Sequence, residues 1–263
     1  MDLGLTGRKA LVTGASKGIG YACALELARE GMDVTLVARG EADLETAATA
    51  IAAQTGRKVH AYAADLTAPG APDAAVAFHC ARHGGLDVLV NNAGGAASGD
   101  FFELTDAQWE ESFALKFHGY VRTCRAAFPH LEQSGHGVIV NNVGAAAKQP
   151  KPGFLIGGAI NAALNNVTKG LAEIGGPRGV RVVSMNSGPV RVERMEKGLI
   201  EGAEAAGIDV EAYAAKRARE VFGMTRYALP EDMGAFCAFL ASDRAVHVHG
   251  ANLFIDGGQT KEV

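Results

Sequence analysis

Short apolar runs rich in β-branched residues alternate along the chain with longer stretches of helical period. Lys9–Thr13, Asp33–Ala38, Lys58–Ala63, Leu86–Asn91, Gly137–Val143, Val180–Met185 and Asn252–Ile255 have the length and composition of strands. Between them lie Ala-, Leu- and Glu-rich segments of helical length, such as Ile19–Glu30, Asp43–Thr55 and Ala107–Leu131. Strand cores that are apolar almost without a break belong to a sheet covered on both faces, and the alternation with helices makes that sheet parallel. Right-handed crossovers then predict a doubly wound α/β fold, a seven-stranded parallel sheet with helices on both faces. No linker, repeat or low-complexity segment interrupts residues 1–263, so a single domain is expected. A polar helical insert over about 191–226 breaks the alternation, and it either covers a ligand crevice like a lid or is a surface excursion.

The first strand runs directly into Thr13-Gly14-Ala15-Ser16-Lys17-Gly18-Ile19-Gly20 and then into a helix. Gly14 permits the tight turn, Gly18 lets backbone approach a pyrophosphate, and Gly20 lets the helix pack close to the sheet. The helix N-terminus offers free N–H groups and the positive end of its dipole to that anion. This places Gly14, Ser16, Lys17, Gly18, Ile19 and Gly20 at the dinucleotide of a Rossmann-type domain. The second strand ends in Ala38 and Arg39, with no carboxylate to hold a ribose 2′-OH. Arg39 and Lys17 are two cations suited to a 2′-phosphate, so NADP(H) is the expected cofactor.

The TGxxxGxG spacing resembles that of the short-chain dehydrogenase/reductase family, and further stretches agree over nearly the whole chain. Asp65-Leu66-Thr67 is similar to the family's adenine contact, Asn91-Asn92-Ala93-Gly94 to its NNAG segment, Ser187-Gly188-Pro189 to its turn beside the nicotinamide, and Asp256-Gly257-Gly258 to its C-terminal DGG. The resemblance implies cofactor contacts from Asp65, Leu66, Asn91, Ala93, Gly94, Gly188 and Pro189. It also implies a small-molecule substrate, and a homo-oligomer (dimer or tetramer) assembled through the long helices.

The same resemblance exposes a departure. From Gly135 to Val183 there is no serine and no tyrosine, and Thr168 is the only hydroxyl-bearing side chain. In register, the family's catalytic serine falls on Gly144, its tyrosine on Gly157, its lysine on Asn161 and its structural asparagine on Lys116. Val192 stands where the family has a threonine after the turn. The usual acid, oxyanion donor and ribose holder are therefore absent, and general acid work alone contributes about 10²–10⁴-fold. Lysine and asparagine, however, have changed places. Lys116, with Asn161 as hydrogen-bond partner, is the candidate for the displaced cation, and a partly desolvated lysine can serve as acid or base. Asn142, two residues before Gly144 on the strand, is a third candidate. The glycines leave room for a bulky substrate or an ordered water, unless Phe154, Leu155 or Ile156 fills it. Three functions stay open: an NADP(H)-dependent oxidoreductase with a rebuilt site, a non-redox lyase, hydrolase or isomerase on the same frame, and a non-catalytic NADP(H) sensor or partner subunit.

Composition narrows the setting. Hydrophobic residues make up 48% and charged residues 21%, with a formal net charge of -4, which gives no basic footprint for nucleic acid. No apolar run is long enough to span a bilayer and no signal pattern opens the chain, so a cytoplasmic protein is expected. Cys23, Cys80, Cys124 and Cys237 lack metal or redox spacing, and His247 with His249 makes a poor site without a third ligand, so no metal is expected. His118 and Tyr120 follow Lys116 on the long helix, and Tyr213 and Tyr227 flank the insert; packing is the favoured role for all four.

Overall fold

The computed structural model describes residues 1–261. Seven parallel strands form one sheet in the order β3-β2-β1-β4-β5-β6-β7. They are β1 (Lys9–Thr13), β2 (Asp33–Ala38), β3 (Val59–Ala63), β4 (Val88–Asn91), β5 (Val138–Asn142), β6 (Arg181–Ser187) and β7 (Asn252–Ile255). The helices are α1 (Gly18–Arg29), α2 (Glu41–Thr55), α3 (Ala71–His83), α4 (Asp106–Ser112), α5 (Gly119–Ser134), α6 (Leu155–Gly175), α7 (Glu193–Ala206), α8 (Val210–Phe222) and α9 (Pro230–Ala241). The order doubles back between β1 and β4, and such a switch point opens a crevice at the carboxyl ends of the strands.

Period-2 alternation explains why the strands read as continuous apolar runs. Ala10 and Val12 of β1, Val34 and Leu36 of β2, and Val138 and Val140 of β5 face one core with α1, α2 and α9. Leu11, Val37 and Ile139 point the other way, into a second core with α3 and α5. All seven expected strands are present, with ends that differ by two residues or fewer. The expected helix over Ala107–Leu131 differs more. It is α4 and α5 joined through a π turn, Phe113–His118. Periodicity over so long an amphipathic stretch does not register one widened turn, and such turns concentrate at functional sites. Among the described residues, no helix is long and apolar enough to cross a membrane, and no group of three or more His, Cys, Asp or Glu is arranged to hold a metal ion.

One polar cluster lies inside the second core. Thr35 of β2 is fully buried, and its hydroxyl meets His79 Nδ1 at 2.8 Å and His83 Nε2 at 3.2 Å. Desolvation, followed by the neighbouring His83, lowers the pKa of His79 to about 3. Desolvation, followed by His60, lowers that of His83 to about 4, against a weak opposing pull from Asp33. Lys9 presses on both, and Lys58 adds to the lowering at His83. Both rings are thus held neutral while the unfolded chain titrates near 6.5. As pH falls through 6.5 towards 4 the unfolded state alone takes up these protons, so stability is lost. The expected slope is about 1.4 kcal/mol per pH unit from His79. Urea or thermal unfolding between pH 7.5 and 5 should show this decline, and His79→Leu should flatten it.

Candidate active site

The ends of β1, β2, β4, β5 and β6 and the start of α7 surround one cleft of about 2040 Å³. That exceeds an ordinary small-molecule pocket and leaves room for a dinucleotide beside a second ligand. Gly14, Ser16, Lys17, Gly18, Ile19, Arg39, Asp65, Leu66, Ala93, Gly94, Gly188 and Pro189 all line it.

At the glycine loop, Gly14 has φ +64°, and a Cβ there would lie 2.7 Å from Ala93 Cα. Only glycine allows β1 to turn while the segment after β4 lies this close. No side chain caps the first turn of α1, so its N–H groups remain available to an anion. Gly20 lies behind the cleft, where a Cβ would collide with the Gly14 carbonyl. A network of amides and a hydroxyl fixes the neighbouring loops. Thr13 Oγ1 accepts from the backbone N–H groups of Asn92 and Ala93 at 2.9 and 3.0 Å. Asn92 Nδ2 donates to the carbonyls of Thr13 and Gly14 at 3.1 and 3.0 Å.

Besides Gly20, two expected cofactor contacts are placed differently. Asn91 does not line the cleft: it is fully buried, donating to Asn141 Oδ1 at 3.0 Å and to Cys124 Sγ at 3.2 Å. Strand alternation turns it into the sheet and leaves Asn92 at the cleft, which the sequence reading passed over. Lys17 does line the cleft, but its ammonium already pairs with Glu193 Oε2 of α7 at 2.5 Å. That pairing raises the Lys17 pKa and lowers that of Glu193. Both side chains are largely exposed, so the bridge is weak. Arg39 is exposed at the end of β2.

Lys116 and Asn161 come together. Lys116, in the π turn, donates from Nζ to Asn161 Oδ1 of α6 at 2.8 Å and to the Val143 carbonyl beyond β5 at 2.8 Å. Its stem crosses Gly94 so closely that a Cβ there would lie 2.8 Å from Lys116 Cγ. Burial lowers the Lys116 pKa to about 8. Gly144 has φ +149°, and a Cβ there would lie 2.8 Å from Asn161 Nδ2. The space beside Gly157 is filled: the Phe154 ring lies where a Cβ would stand. Of the three residues named as possible fillers, Phe154 takes the place, while Ile156 is buried with Ile160 and Leu164.

Asn142 lines the cleft, but its amide is engaged, donating to Asn92 Oδ1 at 2.7 Å and accepting from Ser187 Oγ at 3.5 Å. Tyr120 is buried and donates to the Asn142 carbonyl at 2.9 Å, and desolvation raises its pKa. His118 is exposed with its ring edge on Phe117. His249 Nδ1 accepts from Val182 N–H at 3.2 Å, which fixes the Nε2–H tautomer facing the Ala172 carbonyl at 2.9 Å. Tyr213 and Tyr227 pack with Leu199 and Phe222 between α7 and α8 and do not line the cleft.

Comparison with known proteins agrees with this geometry. Residues 8–202 match the family model for short chain dehydrogenases. The chain is 33% identical to D-threitol dehydrogenase of Mycolicibacterium smegmatis, over 98% of this chain and 95% of that protein. Its structure is similar to L-sorbose reductase from Gluconobacter frateurii complexed with NADPH and L-sorbose, with a TM-score of 0.94, 34% identity and both chains covered completely. It is also similar to an NADPH-bound short chain oxidoreductase from Pseudomonas aeruginosa PAO1 containing an atypical catalytic center. There the TM-score is 0.90 at 28% identity, over 98% of this chain and 99% of the other. The glycine loop, the sheet order and the matches over nearly the full length lead to one conclusion: the chain belongs to the short chain dehydrogenase family.

Proposed function

We propose that this protein is an NADP(H)-dependent oxidoreductase that interconverts a carbonyl and an alcohol, with the Lys116 ammonium in place of the family's phenolic acid. The observation that carries this reading is the Lys116 ammonium in the cleft, held on the Val143 carbonyl and Asn161 Oδ1. The cofactor fits the residues present. The turn at Gly14 and the uncapped start of α1 suit a pyrophosphate, and Arg39 stands where a carboxylate would repel a 2′-phosphate. Similar structures are NADPH complexes, one of them with an atypical catalytic center, which supports both the cofactor and a rebuilt site. When bound, the reduced cofactor supplies a hydride to the carbonyl carbon.

The protein's part is to hold the carbonyl and move one proton. Two of the three Nζ protons are directed to protein acceptors, which leaves the third for the substrate oxygen. That proton passes to the oxygen as the C=O π bond breaks, and the neutral amine regains a proton from water in the cleft. A pKa of about 8 suits a donor that is charged at neutral pH yet gives up its proton readily. Asn142, with its amide committed to Asn92 and Ser187, is a positioning residue for the end of β5. The start of α7 acts as a lid, with Glu193, Arg194 and Met195, and Val192 just before it, at the cleft. The frame works as one domain, and the protein as a homo-oligomer.

Lys116→Met should reduce turnover of NADPH with a carbonyl panel by at least about 10²-fold while the protein remains folded. Tight NADPH binding by the native protein without turnover of any carbonyl would instead mark it as a sensor or partner subunit. Carbonyl reduction should fall as pH rises through about 8, because the charged donor is lost, and alcohol oxidation should rise over the same interval. In Arg39→Asp, the preference for NADPH over NADH should fall by about tenfold or more, read from the two dissociation constants. Restoring a side chain at Gly157 meets the Phe154 ring. Gly157→Ala should therefore be more favourable in a Phe154→Ala background than in the native protein, by about 1 kcal/mol in denaturant unfolding.

A further inference from the structure

One amide at the site has a donor to spare. Asn161 is 3% exposed and lines the cleft. Its amide orientation is fixed by chemistry. The Lys116 ammonium has donors only, so the amide atom 2.8 Å from Nζ is Oδ1. Nδ2 is thereby turned towards Gly144, 2.8 Å from the point where a Cβ would stand. Nδ2 meets no acceptor among the described residues, and it is not one of the sealed partnerless atoms of the interior, so it opens on the cleft.

We propose that Asn161 Nδ2–H is the hydrogen-bond donor to the substrate's carbonyl oxygen, delivered from α6 into the space beside Gly144 and held in orientation by Lys116. The inference rests on the carbonyl-reductase reading above. It accounts for the glycine at 144: a side chain there would collide with Nδ2 and would have to adopt a backbone conformation that favours glycine. It also divides the work at the substrate oxygen between two donors. The amide does not titrate and stays aimed at the oxygen as charge develops there, while the ammonium gives up its proton. A fixed donor in a partly desolvated site costs no reorganisation at the moment of reaction. The two groups depend on each other, because the lysine sets the amide's rotation and the amide oxygen holds the lysine.

Asn161→Asp separates a donor from a mere holder. A carboxylate keeps, and strengthens, the acceptor for Lys116 but removes the N–H. The experiment measures kcat, KM and NADPH affinity of the full-length protein across pH with the best substrate of the carbonyl panel. The expected result is a kcat at the pH plateau lowered by about 10²–10³-fold, with NADPH affinity within about twofold of the native value. The limb set by Lys116 should move to higher pH, because a carboxylate now faces the ammonium. A plateau kcat within about threefold of native, with the limb still shifted, would overturn the proposal and leave the functional reading intact. Absence of turnover in the native protein would sink the functional reading first. Should the Asp variant fail to fold, Asn161→Ser keeps a donor that Asn161→Ala lacks. The Ser variant should then exceed the Ala variant in kcat by about tenfold, and equal values would overturn the proposal.

Discussion

The ammonium of Lys116 joins three elements that the chain builds separately: the π turn, the end of β5 and the helix α6. A lysine placed this deep needs acceptors, since an unpaired buried charge costs several kcal/mol. The Val143 carbonyl and Asn161 Oδ1 supply them. The surrounding glycines follow from this contact. Gly94 makes way for the lysine stem, and Gly144 makes way for the amide that holds the lysine head. Neither position tolerates an added methyl group without displacing one of these two side chains.

The same contact links the positions around it. Asparagine is shorter than lysine, so its presence at 161 leaves space that the ammonium entering from the π turn occupies. Glycine at 157 admits the Phe154 ring, which gives that part of the cleft an apolar wall. Tyr120 is held nearby on the Asn142 carbonyl, one residue before the carbonyl that Lys116 uses. Two successive carbonyls at the end of β5 thus receive donors from one helical stretch, and the widened turn sits at the first of those donors. A side chain added at Gly144 meets the Asn161 amide, and one added at Gly157 meets the Phe154 ring.

At the glycine-loop end of the cleft, two short side chains bond to main-chain groups. Thr13, Asn92 and the start of α1 fix the loops through main-chain groups, so side chains such as Lys17 are free to make other contacts. The bridge from Lys17 to Glu193 ties the glycine loop to the first turn of α7, across the mouth of the cleft. Being largely exposed, it can open at little cost.

The sequence by itself determined the sheet, its strand count and parallel sense, and the glycine loop. Those follow from local period, from apolar runs and from residues that act where they stand. It also singled out Lys116 and Asn161 as hydrogen-bond partners, 45 residues apart in the chain, which the fold brings to 2.8 Å. The tertiary structure alone decided that Asn91 faces the interior and Asn92 the cleft, since a strand's last residue and the one after it point to opposite sides. It alone placed the π turn, the Phe154 ring beside Gly157 and the pairing of Lys17 with Glu193. The ion pair joins residues far apart in the chain, the π turn rests on a single residue of helical register, and the ring position rests on a side-chain rotamer; none leaves a periodic trace in the sequence.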